Sequence, residues 1–424
     1  MLRDAALPLI PRVLIIALLV GLLTACSAIE PNKADQQSKP YLVLVSFDGF
    51  RWDYASLTDT PAIDRMAREG LRAEALQPAF PTVTFPNHFS IATGTLPWRH
   101  GIVANDFPGE NGEEWYHYKD RSTVQDGRWY LAEPIWVTAE KAGLRTAAYY
   151  FVGTEADVEG VRPSHWRAFD ADVPGRARVS QVLDWLSAPA ETRPHLVTLY
   201  FEDVDDHGHW YGPVSEKNRE AIRQLDRWLG QLMEGIDRLP HGDEVYILLV
   251  SDHGQAYYNS NAALVLDDWL QLDGTTVING GPSAFVHFEQ PDRERALAMQ
   301  TTINQNWNCG RAYLPDELPA SWNAGSSERY PDLFVQADVG CGVITTEANR
   351  RKMTAGDHGW APDVPDMRGI FYATGPRIPA GTRTGVVHVT DIHPMMLEIL
   401  GLKAPGPVDG DPDALNRFLR PENE

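Results

Sequence analysis

Cysteine is nearly absent from this chain: three in 424 residues, at positions 26, 309 and 341. A thiolate-built metal site needs several close together, so any metal must be held by other donors. Basic charge is also short. Lysine and arginine number 37 against 58 acids, for a net charge of −21. That balance argues against duplex nucleic acid bound through a basic surface. It leaves room for a single nucleotide at a local positive centre, such as bound metal. Long hydrophobic runs are missing as well. The run 13-VLIIALLVGLL-23 would rise only about 16 Å as a helix, against a bilayer core of roughly 30 Å. There is no internal repeat, and no low-complexity tract apart from a polar stretch behind the apolar run.

Arg3 and Arg12 precede that run and small residues follow it, the pattern of a secretory signal. The run ends 23-LTAC-26, which resembles the lipobox of bacterial lipoproteins. By that resemblance residues 1–25 are a signal peptide and Cys26 is the lipidated first residue. Residues 26–40 are then a flexible tether. Ser27 in place of Asp points to the outer membrane, on the periplasmic side of a bacterial cell envelope, with the membrane reached through the lipid anchor only. The plainer alternative is an ordinary cleaved signal or an uncleaved anchor. In an oxidising compartment the remaining pair, Cys309 and Cys341, is expected to form a disulfide.

Three continuous apolar runs read as buried parallel strands: 41-YLVLVSFDG-49, 195-HLVTLYFEDVD-205 and 244-EVYILLVSDHG-254,. A fourth run, 369-GIFYATGP-376, has the same character. Helical patterns lie between them. One is capped by Thr60, carries Pro61 in its first turn and closes at Gly70; another lies near 217–239,. Strands alternating with helices predict an α/β sandwich around a mostly parallel sheet. A chain this long calls for a large domain with insertions or a cap.

The first three strands end in acid: Asp48, Asp205, and Asp252 with His253. Ligands bind beyond the carboxyl ends of parallel strands, so three aspartates are expected on one rim. Bare, they repel; with a divalent cation they become ligands. His209 lies four residues after Asp205, and a second Asp-His pair in 356-GDHGW-360 supplies His358. Aspartate and histidine without cysteine suit zinc sites that keep open positions for chemistry. A lone DHG is usually a turn, and a lone acid cluster a wet surface. The joint pattern carries the metal reading. In 80-FPTVTFPNHFS-90 two prolines stiffen the backbone around Thr84, a candidate nucleophile. Asn87 and Ser90 are expected to cap the helix that follows.

Taken together, FDGFRWDY, TPAIDRMAREG, FPTVTFPNHFSIATGTLPWRHGIVAND, TLYFEDVDDHGHWYGP, LLVSDHG, AGDHGW and DIHPMMLEILGL resemble the nucleotide pyrophosphatase/phosphodiesterase family of the alkaline phosphatase superfamily. The likeness runs from Tyr41 to about Pro405. It implies an alkaline-phosphatase-like sandwich: a mostly parallel central sheet, helices on both faces, and an inserted cap segment around 256–350. Residues 406–424 are then a C-terminal tail. It further implies two zinc ions per chain. One is held by Asp205, His209 and His358. The other is held by Asp48, Asp252 and His253, with Thr84 as both ligand and nucleophile. Asn105 matches a donor to phosphate. Phe85 and Tyr200 match aromatic positions that sandwich a nucleobase, although core packing is their blander reading. The family has Glu-Glu-Pro-Asp where this chain has Glu202-Asp203-Val204-Asp205, and smaller residues at Asp206 and His207, whose role stays open.

The implied activity is hydrolysis of a small-molecule phosphodiester, a nucleotide diester or pyrophosphate, to nucleoside 5′-monophosphate through a covalent Thr84 intermediate. Two alternatives stand beside it. One is a phospholipid or choline-phosphodiester hydrolase of the same family. The other is a non-catalytic surface lipoprotein that binds zinc or phosphate esters. If Cys26 is lipidated, Cys26→Ser is expected to shift the protein out of the membrane fraction or leave it unprocessed, as fractionation and mature mass would show.

Overall fold

The computed structural model describes residues 40–421 apart from 111, 279, 280 and 353. The signal segment, Cys26 and the tether through residue 39 lie outside the described residues. Among the described residues no helix is long and apolar enough to cross a membrane.

The centre is an eight-stranded sheet. Its strands are β1 (Tyr41–Phe47), β2 (Leu71–Ala73), β3 (Thr146–Tyr149), β4 (His165–Trp166), β5 (Leu196–Phe201), β6 (Val245–Val250), β7 (Phe371–Thr374) and β8 (Thr382–Thr384). They lie in the order β8-β2-β7-β6-β1-β5-β3-β4. The three apolar runs are neighbours: β1 pairs in parallel with β5 on one side and β6 on the other. Every residue of β1 and β6 is buried. Alternate side chains explain why the runs are apolar throughout. Leu42 and Leu44 enter one core, with Phe89, Ile91 and Met395. Val43, Val45 and Phe47 enter the other, with Ile63, Val182 and Leu225. Each such side chain contributes roughly 1.5–3 kcal/mol by leaving water. A one-residue slip would exchange the two faces. Register is therefore held, with Phe47 opposite Phe201 and Ser46 opposite Tyr200 and Val250. That places Asp48, Glu202 and Asp252 level with one another just past the sheet edge.

The fourth run departs from expectation. β7 is antiparallel to both β6 and β2. The reason lies in where the chain comes from. Residues 356–369 line the carboxyl edge, with Gly254 N–H donating to Met367 O and Trp52 N–H to Arg368 O. A strand that starts at that edge must run away from it.

Six helices matter here: α1 (Pro61–Glu69), α2 (Thr84–Thr93), α3 (Gly175–Leu186), α4 (Asp203–Tyr211), α5 (Glu216–Asp237) and α6 (Ile392–Leu400). α1 starts after Thr60 and stops at Gly70, but Thr60 is no side-chain cap. Its hydroxyl donates to Ala55 O at 3.3 Å. The free N–H groups of Ala62 and Ile63 instead donate to Asp226 of α5, at 3.2 and 2.9 Å, a cap supplied from a distant element. Asn87 and Ser90 are likewise no caps, because α2 begins earlier than expected, at Thr84. Asn87 instead ties down the preceding loop: its Oδ1 accepts from Ala79 N at 2.7 Å and its Nδ2 donates to Pro81 O at 2.9 Å.

Between β6 and β7 the chain forms a second, antiparallel sheet. Its strands are Thr275–Ile278, Ser283–Phe288, Leu333–Ala337 and Gly310–Tyr313, in that order. The helix Arg293–Asn306 packs on it over a core of its own. Cys309 and Cys341 form a disulfide with Cα atoms 6.2 Å apart.

His393 of α6 is fully buried, and neither ring nitrogen has a hydrogen-bond partner among the described residues. Burial lowers its pKa to about 3, from 6.5. The unfolded chain therefore takes up the proton first. The stability tied to the neutral ring is complete above pH 6.5 and is lost as pH falls toward 3. His393→Leu is expected to flatten this acid loss by up to about 1.4 kcal/mol per pH unit, measured as urea midpoints at pH 7 and pH 5.

Candidate active site

The carboxyl edge opens into a cavity of about 610 Å³. Thr84, Phe85, Asn105, Tyr200, Asp48, Asp205, His209 and His358 all line it. Asp252 and His253 stand behind that wall, fully buried. The candidate ligands, the candidate nucleophile and the candidate substrate contacts are thus at one place, delivered by six separate segments.

The hydrogen bonds around the histidines show what the place is built for. His253 Nδ1 lies 3.0 Å from Gly254 O, His209 Nδ1 3.0 Å from Gly356 O, and His358 Nδ1 3.0 Å from Thr82 O. A ring nitrogen facing a carbonyl must carry the proton, which leaves each Nε2 with its lone pair free. Those three lone pairs point at acids. His253 Nε2 is 3.1 Å from Asp252 Oδ2, 3.6 Å from Asp48 Oδ1 and 3.3 Å from the Thr84 hydroxyl. His209 Nε2 is 3.3 Å from Asp205 Oδ2, and His358 Nε2 is 3.8 Å from Asp205 Oδ1. Electron-rich atoms facing one another without a proton between them need a cation. Asp48 Oδ1 and Asp252 Oδ2 are buried without a hydrogen-bond partner among the described residues, which is costly unless something positive sits there. The donor set fits metal, and histidines oriented by carbonyls are the usual support of such sites.

Without metal the protonation states are strained in the same sense. Burial, then the charge of Asp252, holds the Asp48 carboxyl well above its usual range. Burial, then Asp205, does so for Asp252. Burial pushes His253 and His358 down. Burial opposes the charged forms of Asp205 and His209 too, but their mutual attraction outweighs it. Asp205 is held low and His209 is pushed up to about 10, so that without metal a proton on His209 Nε2 takes the cation's place beside Asp205.

Three groups bring ligand atoms within 4.8 Å of one another: Asp205 with His253 and His358, His209 with Asp357 and His358, and Asp48 with His88 and Asp252. They cut across the ligand sets implied by resemblance and add Asp357 and His88. Asp357 precedes His358, accepts its N–H at 2.9 Å, and lies 3.6 Å from His209 Nδ1. Asp205 has a further partner in Gln255, whose Nε2 donates to its Oδ1 at 2.7 Å. The close approach of Gln255 explains Gly208: a Cβ there would sit 1.6 Å from Gln255 Oε1.

The crowded acids of α4 now separate. Glu202 takes a two-pronged ion pair from buried Arg178, at 2.6 and 2.7 Å. Asp205 belongs to the candidate metal donors. Asp206 lines the cavity with its surface open to solvent, while partial withdrawal of its carboxyl from water by the cavity wall, then Asp205 and Glu202, raises its pKa to about 6. His207 does not line the cavity; its Nδ1 donates to Asp203 O at 2.7 Å and its ring leans on Tyr211.

Thr84 is the first residue of α2, whose dipole favours negative charge at its head, although the Phe85 N–H is taken by Asn105 and Pro86 has none,. Thr82 is buried, and its hydroxyl donates to Trp360 O at 2.6 Å. Asn105 Oδ1 accepts the Phe85 N–H at 3.0 Å. The acceptor is thereby used, and the amide N–H₂ is the end left for a ligand. Phe85 meets Tyr118 and Tyr116 edge-on, at 5.6 and 6.1 Å. Tyr200 points its hydroxyl at the metal donors, giving Asp48 Oδ2 a hydrogen bond of 2.6 Å. Its ring lies edge-on to Phe169, 6.1 Å away. Phe169, half-exposed in the cavity, was not foreseen. It sits in an irregular segment whose sequence carries no periodic signal, and is held by its N–H donating to Glu155 at 2.9 Å.

An α/β sandwich with histidines and aspartates gathered past the ends of its parallel strands defines an alkaline-phosphatase-like protein. Comparison with known proteins narrows this. The model of type I phosphodiesterases / nucleotide pyrophosphatases matches residues 42–361. The bis(5′-adenosyl)-triphosphatase of Bos taurus is 32% identical over 94% of this chain and 85% of its own. Ectonucleotide pyrophosphatase/phosphodiesterase family member 1 of Homo sapiens is 29% identical over 93% of this chain and 44% of its own. The structure of murine ectonucleotide pyrophosphatase/phosphodiesterase 5 superposes with a TM-score of 0.84 at 26% identity, over 90% of this chain and all of that one. The chain belongs to the type I phosphodiesterase / nucleotide pyrophosphatase family, within the alkaline phosphatase superfamily.

The unpaired acids make a test. Because the Asp252 carboxyl is raised, charging it costs stability as pH rises above the ordinary carboxylate value near 3.8. In chelator-treated protein at pH 8, Asp252→Asn is expected to raise the urea midpoint. In metal-loaded protein the same change is expected to lower it, because a ligand is lost.

Proposed function

We propose that the protein is a zinc-dependent phosphodiesterase and pyrophosphatase that converts nucleotide diesters to nucleoside 5′-monophosphates through a covalent intermediate on Thr84. The observation that carries this reading is the position of the Thr84 hydroxyl. It lies at the head of α2, 3.3 Å from His253 Nε2, and lines the cavity together with aromatic rings. Two zinc ions, held by Asp205, His209 and His358 and by Asp48, Asp252 and His253, would supply the positive charge that favours an ionised hydroxyl and offsets charge at phosphorus.

The chain's own part follows from the geometry. Thr84 Oγ forms a bond to phosphorus while the bond to the leaving oxygen breaks. Water then cleaves the Thr84 ester and releases the monophosphate. The dipole of α2 favours charge on the phosphate oxygens, and the Asn105 amide donates toward them. Phe85, Phe169 and Tyr200 offer aromatic surface to a base. The names of relatives support a nucleotide: one is a bis(5′-adenosyl)-triphosphatase, and an inactive form of the murine structural relative was solved in complex with AMP. The ending 23-LTAC-26 supports action from a lipid anchor in the periplasm.

One observation favours a second reading. Asp206 is an exposed acid in an aromatic cavity, and acids with aromatic faces also suit a choline headgroup.

One set of assays separates the readings. Active protein is expected to hold about two zinc ions per chain by elemental analysis. Thr84→Ala is expected to keep the zinc and lose nearly all turnover. Phe85→Ala should raise KM for a nucleotide diester by roughly 5- to 150-fold, the equivalent of about 1–3 kcal/mol of stacking. Its effect on bis-p-nitrophenyl phosphate should be smaller. Equal losses on both substrates, with faster cleavage of a phosphocholine lipid, would favour the second reading.

A further inference from the structure

Each of the three aspartates at the sheet edge has one oxygen fastened by a donor and the other turned to a histidine. Asp48 Oδ2 accepts the Tyr200 hydroxyl at 2.6 Å, and its Oδ1 faces His253 Nε2 at 3.6 Å. Asp252 Oδ1 accepts the Gly49 N–H at 3.2 Å, and its Oδ2 faces the same nitrogen at 3.1 Å. Asp205 Oδ1 accepts the Gln255 amide at 2.7 Å, and its Oδ2 faces His209 Nε2 at 3.3 Å. His358 Nε2 stands 3.8 Å from the fastened oxygen, too far for a hydrogen bond,. Nothing in the sequence pattern pointed to Gln255, two residues beyond His253.

Gln255 is fully buried, and its Nε2 donates twice to Asp205, to Oδ1 and to the main-chain oxygen at 2.9 Å. Both partners can only accept, so the amide has one possible orientation, nitrogen toward Asp205 and oxygen away. The oxygen accepts from the Tyr54 hydroxyl at 3.4 Å. The amide is seated against α4 at Gly208, where a Cβ would come within 1.6 Å of Oε1 and 2.9 Å of Nε2. Gly208 has no positive φ, so this close approach is what calls for glycine there. The main chain of Gln255 is held separately. Arg51 Nη1 donates to its oxygen at 3.1 Å, and Ala256 pairs with Asp357. Removing the side chain therefore leaves its segment in place.

We infer that Gln255 is a positioning residue: its amide, seated against Gly208, occupies Asp205 Oδ1 and leaves Oδ2 as the oxygen presented to a cation beside His209. Without that donor Oδ1 would be left unsatisfied near two other acids, and the carboxylate would be free to turn. The tie also joins two of the converging segments, because Asp205 opens the run that carries His209 and Gln255 closes the run that carries Asp252 and His253. The inference rests on the zinc reading of the proposed function, but not on the identity of the substrate.

The test is chelator competition on the full-length zinc-loaded protein. Gln255→Met keeps the length and bulk of the side chain and removes the donor. It is expected to weaken one of two zinc ions by about 10- to 100-fold, the range found when the supporting partner of a metal ligand is removed, and to leave the other unchanged. A merely structural role would not give that selectivity, because a general loosening so close to His253 would reach both ions. Gly208→Ala should reproduce the loss by pushing the amide off Asp205. In a Gln255→Ala background, where the space is vacated, Gly208→Ala should add little. Unchanged zinc affinity in Gln255→Met, equal loss of both ions, or additive losses in the double variant would overturn the inference. A measurement on the unaltered holoenzyme stands apart from any folding defect. The ¹H–¹⁵N spectrum should show one Gln255 side-chain proton shifted downfield by the carboxylate, and a pair of shifts typical of a free amide would overturn the assignment. Unaltered protein that binds no zinc would overturn the inference together with the proposed cofactor. Failure to cleave nucleotide diesters would leave every zinc readout intact and would count against the proposed substrate alone.

Discussion

Three aspartates held where they repel one another are the constraint on which the rest of this site depends. Asp48, Asp205 and Asp252 follow adjacent parallel strands, and the register of those strands leaves them no freedom to separate. The cores on both faces of the sheet set that register, so apolar burial far from the chemistry maintains the electrostatic stress at the edge. Two of the carboxylates are almost completely buried and each keeps an oxygen with no hydrogen-bond partner among the described residues. A cation resolves this conflict, and the fold makes the conflict unavoidable.

Histidine orientation is the second layer of the same design. Carbonyls of Gly254, Gly356 and Thr82 each hold an Nδ1–H, and so direct three lone pairs toward the acids. Thr82 lies two residues before Thr84, so the loop that orients His358 also leads into the helix that Thr84 heads. Asn87 ties that loop to Ala79 and Pro81, and Asn105 takes the N–H of Phe85. The first turn of α2 is therefore fastened from both sides. A hydroxyl carried there can be placed without a side-chain base beside it in sequence.

The opposite wall of the cavity is built differently. Phe169 comes from an irregular segment, and its place depends on Glu155, which also takes Arg121 at 2.7 Å and Gln125 at 3.0 Å. Arg178 does similar work for Glu202 while lying over the Tyr150 ring. Here buried ion pairs, not sheet register, position the surface that meets a ligand. Such pairs are costly to break on one side only.

The central strands, the acids at their ends and the three metal-facing histidines were legible in the amino-acid order. Continuous apolar runs between helical patterns admit few arrangements, and the chemistry follows each run directly. The resemblance carried Asn105, Phe85 and Tyr200 to the same rim. Local reading went wrong where a partner lies far away in the chain. Thr60 looked like a cap, but Asp226 caps α1. Asn87 and Ser90 looked like a helix start, but α2 begins at Thr84, and only that start puts His88 one turn from the nucleophile. The run at 369–376 looked parallel, but β7 leaves the edge that the others enter. Tyr200, read as an aromatic wall, does line the cavity, and what the sequence did not show is that its hydroxyl also serves Asp48. The sequence by itself determined which residues could hold metal and react, because residue type and strand order are local properties. Tertiary structure alone decided which nitrogen of each histidine carries the proton and which side chains support the donors, because those depend on hydrogen-bond partners brought together across the whole chain.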